Sequence, residues 1–166
     1  MNPIIKFFTV LSLFFSIGFT VISGAHAELV KGRDYALLLN PQPTTSGDKI
    51  EVLEFFWYGC PSCYKLHPQI KLWQEKIPKD VTLKYIPTIF RKNWIPATKT
   101  FYTLEILDKE NNLHDEIYDA IHIEKIDLSN EKILFSWIEK QGIDRKKFIS
   151  IYNSFSVVNK SSQSSQ

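Results

Sequence analysis

Cysteine is scarce in this chain: Cys60 and Cys63 are the only two among 166 residues. No further cysteine exists to complete a four-ligand structural zinc site, and none lies near the N-terminal leader, which rules out Cys-dependent lipidation there. Charge of one sign is also missing. Twenty Lys and Arg against eighteen Asp and Glu leave a formal charge of +2, with acids and bases interspersed. No electrostatic footprint for nucleic acid follows from such a balance, so nucleic acid is set aside as a partner. The apolar run from Phe7 to Ile22 falls short of the roughly 18 to 20 residues that span a bilayer, and its flanking charge is weak. No internal repeat is present.

What is there suits a folded, single-domain protein, since 44% hydrophobic residues with 14% aromatics supply a substantial core. Lys6, the run Phe7 to Ile22 and the small residues of Ser23-Gly24-Ala25-His26-Ala27 together read as a cleavable secretory signal over residues 1–27. The mature chain is expected to start at Glu28. An uncleaved anchor is the alternative. A secreted chain enters an oxidising compartment, where two cysteines can pair.

From Glu28 to Asp48 the chain is rich in turn formers (Pro41, Pro43, Thr44, Thr45, Ser46, Gly47), with a short strand expected near Tyr35 to Leu39. Ile50 to Tyr58 is aliphatic and aromatic throughout, which predicts a central strand buried on both faces. The period then changes: Cys63, Leu66, Ile70, Trp73 and Ile77 recur at three- and four-residue steps, predicting a helix with a buried stripe that ends at Pro78. Val81 to Ile86, stopped by Pro87, reads as a second strand and completes a βαβ unit. Beyond Pro96 helices are expected at 97–108, 113–123, 130–141 and 144–155, with Ser129 or Asn130 as a cap and Gly142 as a stop. The polar tail from Asn159 to Gln166 reads as a frayed terminus.

Disulfide exchange needs one accessible, easily deprotonated cysteine and a second close enough to resolve the mixed disulfide. Two cysteines scattered at random over this length would fall three apart roughly once in a hundred chains, so the spacing suggests a pair with a purpose. Pro61 fits a first helical turn, which places Cys60 at the helix N-terminus, where backbone N–H groups stabilise a thiolate. Cys63, one turn inward, is the expected resolving thiol. Glu54 interrupts the apolar strand six residues before Cys60; it is either a buried carboxylate that accepts or relays the Cys63 proton, or a solvated edge residue. A Cys60, Cys63, His67 metal site is the competing reading, against His67 as a partly exposed helix residue beside Pro68. His114 and His122 are expected on helix surfaces. Trp57 and Tyr58 either pack in the core or contribute an apolar surface for unfolded chains.

The segment Glu54-Phe55-Phe56-Trp57-Tyr58-Gly59-Cys60-Pro61-Ser62-Cys63-Tyr64 resembles the active-site stretch of the DsbA family of periplasmic thiol:disulfide interchange proteins. Asn93-Trp94-Ile95-Pro96-Ala97, Tyr102-Thr103-Leu104-Glu105 and the run from Ala120 to Phe155 extend the resemblance over nearly all of the chain after the leader. It implies an α/β, thioredoxin-like fold with an inserted helical domain: residues 28–96 as the βαβ portion, 97–155 as the insertion, and 156–166 as the start of a helix returning to the first domain. It also implies a redox-active Cys60–Cys63 disulfide with no other cofactor. Cys60 then acts as nucleophile, Cys63 as its buried partner and Glu54 as the buried acid beneath them. The implied partners are reduced or unfolded exported proteins and a DsbB-type membrane oxidase, met in the periplasm by a monomer.

The family continues with a cis-proline loop, two strands and a closing helix, whereas Gln166 falls in the region corresponding to the helix before that loop. An unpaired sheet edge and exposed apolar surface are therefore expected on the βαβ unit. Two functions follow: an oxidoreductase that donates its disulfide to exported proteins, or a non-catalytic remnant that binds unfolded chains.

Overall fold

A computed structural model describes residues 28–41 and 43–164, with the side chains of 110–112 left aside. The signal-peptide reading of residues 1–27 lies outside the described residues.

The segment up to Pro43 forms a unit distinct from Thr44 onward. Within it the Val30 N–H donates to Asp34 Oδ2 at 2.8 Å, and a single bridge joins Lys31 to Tyr35. The strand expected near Tyr35 to Leu39 does not form, because beyond the single bridge at Tyr35 those residues have no ladder partner among the described residues.

In the second unit, β1 (Ile50–Phe56) and β2 (Val81–Pro87) pair in parallel from Ile50↔Val81 to Phe56↔Pro87. Helix α1 (Pro61–Gln74) joins them, giving the expected βαβ unit. Alternation along β1 sends Phe56 into the core at 1% exposure while Leu53 and Phe55 on the other face are 39% and 64% exposed. The expectation of a central strand buried on both faces is thus corrected: in the two-stranded sheet of the described residues, Leu53 and Phe55 on one face of β1 are exposed.

Helix α1 ends at Gln74, three residues before the predicted end at Ile77. Its buried side is not the predicted stripe either, since Leu66 and Trp73 are exposed and His67 is the residue that is buried. Pro68 sits inside the helix and has no N–H to offer the Tyr64 carbonyl.

After a short 3₁₀ turn at Lys92–Trp94 come α2 (Ile95–Ile106), α3 (Glu110–His122), α4 (Glu131–Lys140), α5 (Arg145–Tyr152) and α6 (Phe155–Gln163). Asn130 caps α4 by accepting from the Lys132 and Ile133 N–H groups, and Gly142 follows its end with φ +81°, a conformation that favours glycine. Helix α6 corrects the reading of the tail as frayed. Ser154 caps it through the Val157 N–H, and Val157 and Ser161 are buried where it packs on α2.

α2 packs against α3, α5 and α6. One apolar core runs from Phe56 and Tyr58 through Phe101, Leu104, Ile117 and Tyr118 to Leu134, Ile138, Phe148 and Tyr152. Burying an aromatic such as Phe56 stabilises the fold by about 1.5–3 kcal/mol, so the end of β1 that leads into the cysteine loop is its best-anchored part.

Candidate active site

β1 ends at Phe56, and Trp57, Tyr58 and Gly59 turn the chain into α1. The Phe56 carbonyl accepts from both the Thr88 N–H (2.8 Å) and the Thr88 hydroxyl (3.1 Å), which ties this turn to the end of β2. The Cys60 N–H donates to the Trp57 carbonyl at 2.9 Å. Cys60 is then the N-cap of α1, extended at φ −83° and ψ 117°, with Pro61 in the first turn as expected.

The Cys63 N–H donates to Cys60 Sγ at 3.4 Å. Both sulfurs are thiols here and both are half-buried. Burial works to raise the Cys60 pKa, but the Cys63 N–H, the Cys63 thiol and the Ser62 N–H outweigh it and hold Cys60 below an ordinary thiol. Burial pushes Cys63 up; the Trp57 N–H works against the rise, and the neighbouring Cys60 and Glu54 add to it. The two thiols are therefore separated in acidity, Cys60 as the easier thiolate and Cys63 as the thiol that keeps its proton.

Glu54 lies on the core-facing side of β1, with Oε2 buried and lacking a hydrogen-bond partner. Burial raises its pKa while the charge of His67 lowers it. Of the two readings of Glu54, the geometry takes the buried one.

The histidines stand elsewhere than expected. His67 is 6% exposed and its Nε2 lies 2.5 Å from Asp115 Oδ1 on α3. His114 is 7% exposed and hydrogen-bonded through Nδ1 to the Tyr58 hydroxyl at 2.8 Å. His122 donates from Nε2 to the Tyr58 carbonyl at 2.8 Å and stacks on Tyr64 with planes 8° apart. His114 and His122 thus hold both ends of Tyr58, two residues before Cys60, so two residues expected on helix surfaces are supports of the cysteine loop. His114, Tyr118 and His122 fall four apart on α3 beside the buried Leu113, Ile117 and Ala120, a helical spacing that carried this signal. Asp115 had no such signal. Among the described residues no three His, Cys, Asp or Glu side chains are placed to hold a metal ion, and His67 faces Asp115, so Cys60, Cys63 and His67 are not gathered as one ligand set.

No family model matches the chain. It is 37% identical over 141 residues to the thiol:disulfide interchange protein DsbA of Burkholderia cepacia, covering 84% of this chain and 66% of that relative. The chain thus spans slightly less than two thirds of that protein. The DsbA of Bordetella pertussis is 35% identical over 151 residues, 91% of this chain and 72% of that one. The crystal structure of Pseudomonas aeruginosa DsbA superposes with a TM-score of 0.74 at 36% identity, over 82% of this chain and 71% of the other. The fold is accordingly α/β and thioredoxin-like with an inserted helical domain, and the chain belongs to the DsbA family of thiol:disulfide interchange proteins.

Proposed function

We propose that the chain is a periplasmic thiol:disulfide oxidoreductase that donates the Cys60–Cys63 disulfide to exported proteins during their oxidative folding. The single observation that carries this reading is the place of Cys60 at the N-cap of α1, where its sulfur accepts from the Cys63 N–H at 3.4 Å; this favours a Cys60 thiolate, with Cys60 lowered and Cys63 raised.

In the oxidised form a substrate thiolate attacks Cys60 Sγ. The Cys60–Cys63 bond breaks, Cys63 leaves as a thiolate and takes up a proton, and a mixed disulfide joins substrate to Cys60. A second substrate thiolate attacks the substrate sulfur of that bond, the substrate disulfide forms, and Cys60 departs as the thiolate its N-cap position favours. A stabilised Cys60 thiolate makes the reduced form the lower in energy, which is the condition for an oxidant. A DsbB-type membrane oxidase then returns the dithiol to the disulfide. The reaction draws on the protein's own sulfurs, with no organic cofactor, and a monomer suffices.

The test is oxidation of a reduced substrate protein by the purified chain, pre-oxidised, beside its Cys60→Ser variant. A rate present in the first and lost in the second supports the reading. Equal rates, or none in either, overturn it.

A further inference from the structure

Of the buried polar atoms that have no hydrogen-bond partner among the described residues, two lie on the elements that flank the cysteine loop, Glu54 Oε2 on β1 and His67 Nδ1 on α1; His114 Nε2 and the Tyr118 hydroxyl on α3 are two more. An orphaned buried polar atom costs about 1–3 kcal/mol, so a pair of them in neighbouring groups asks for an account. Neither atom bonds the other, but the groups are near enough for His67, when protonated, to act on Glu54, and Glu54 in turn acts on Cys63. The other nitrogen of His67 is taken by Asp115 Oδ1, while Asp115 Oδ2 pairs with Lys71. The Asp115 side chain is 44% exposed. It lines, with Tyr64, His67, Lys71 and Leu72, a surface cavity of about 590 Å³ between α1 and α3. Burial works against ionising Asp115, but Lys71 and His67 outweigh it and keep it a carboxylate.

We propose that His67 and Asp115 form the outer half of a proton path that serves Cys63 through Glu54 and opens at the α1–α3 cavity. This rests on the oxidoreductase reading. To attack a mixed disulfide on Cys60, Cys63 must lose its proton. Glu54 accepts it and is left as a buried acid. In the tautomer that carries its proton on Nε2 and donates to Asp115, His67 offers Nδ1 as an acceptor. The Glu54 proton passes to Nδ1 through a bridging water, since the two atoms are not hydrogen-bonded to each other, the Nε2 proton passes to Asp115 Oδ1, and water at the cavity takes it up. One proton has left Cys63 and one has reached solvent.

When Cys63 later departs as a thiolate, the same transfers run backward and restore the first tautomer. A two-stroke exchange therefore resets the ring without turning it. The groups around His67 are Lys71 on its own helix, which shares Asp115 with it, Glu54 from the sheet, and Asp115, His114 and Tyr118 from α3, with the His114 and Tyr118 rings centred 4.7 Å and 5.1 Å away. Burial, with the charge of His67 next, holds His114 down to about 3, so it stays neutral and does not compete for the proton.

The experiment follows one step in isolation. The reduced chain is mixed with oxidised glutathione, and release of the second glutathione reports attack of Cys63 on the Cys60–glutathione bond. His67→Ala slows this release at least about tenfold near neutral pH, makes it rise more steeply with pH as hydroxide replaces the relay, and recovers it when free imidazole fills the cavity. His67→Gln, which keeps a hydrogen bond to Asp115 through its amide N–H but cannot take up one proton and release another, is slowed alike without a gap in the fold. An unchanged rate and pH profile in both variants overturns the proposal. So does a slowed rate that imidazole leaves alone. No second release from the unsubstituted chain instead overturns the oxidoreductase reading beneath it.

Discussion

The indole of Trp57 stacks on that of Trp94, centroids 3.9 Å apart and planes 7° from parallel, and a Cβ added to Gly59 would stand 2.3 Å from Trp57 Cζ2. Glycine at 59 is thus a requirement of close approach: it admits the ring of Trp57 against the backbone that leads into Cys60. Because Trp57 is pinned by Trp94, which Phe90 meets edge-on at 5.6 Å, its ring is not a loose end that yields. Gly59→Ala is expected to cost about 1–3 kcal/mol and to pull the two indoles apart. Loss of the exciton-like near-ultraviolet circular dichroism of the pair, with a lower denaturant midpoint, checks it; an unchanged spectrum counts against it.

The unequal thiols make a second expectation. Titration of ultraviolet thiolate absorbance finds Cys60 ionising below an ordinary cysteine and Cys63 above it, and a limiting amount of iodoacetamide modifies Cys60 first. Cys63→Ala removes the thiol that donates to Cys60 but leaves the backbone N–H in place. The Cys60 pKa is expected to rise part of the way toward an ordinary thiol. No rise would mean that the helix N-terminus alone holds the thiolate.

Much of this site was legible in the sequence because its signals are local. The change of period after Gly59 and the place of Pro61 put Cys60 on a helix N-cap and Cys63 one turn in, and Asn130 and Gly142 marked their helix ends by their own backbone chemistry. What was not legible depends on partners far along the chain. His67 is buried because Asp115, 48 residues on, receives it, and His122 turns inward to a carbonyl 64 residues back; a histidine judged by its own helix face gives neither. The apolar run of β1 likewise says that its side chains can be buried, not whether anything covers Phe55. Helix α6 hid behind a polar composition, its place set by one cap at Ser154 and one buried Val157.

Glu54 leads to a third expectation, in which the sign can be worked out. Burial raises its folded pKa above the ordinary 4.5, so the folded state holds the proton more tightly than the unfolded chain does. Its contribution to stability is fully present below the unfolded pKa and is lost as pH rises through the raised folded value. Glu54→Gln, which keeps the size but cannot ionise, is expected to unfold at a higher temperature than the parent chain at neutral pH. The difference should vanish in acid. Equal melting temperatures across the range would place the Glu54 carboxylate in water.

His114 works in the opposite sense. Burial lowers its pKa from 6.5 to about 3, with the charge of His67 adding to the drop, Lys71 lowering it further and Asp115 opposing. The unfolded chain takes up a proton below pH 6.5 that the folded chain refuses until about pH 3. The stability associated with a neutral His114 is therefore complete above pH 6.5 and is lost as pH falls through that window, by up to about 1.4 kcal/mol per pH unit. His114→Phe abolishes this titration while taking a hydrogen bond from the Tyr58 hydroxyl, at a cost of about 1–3 kcal/mol. Guanidinium unfolding at a series of pH values should find the variant weaker than the parent at pH 7, the gap narrowing on acidification and reversing near pH 4, because only the parent loses the His114 contribution. Parallel curves over that range would show that His114 reaches solvent and titrates as it does in the unfolded chain.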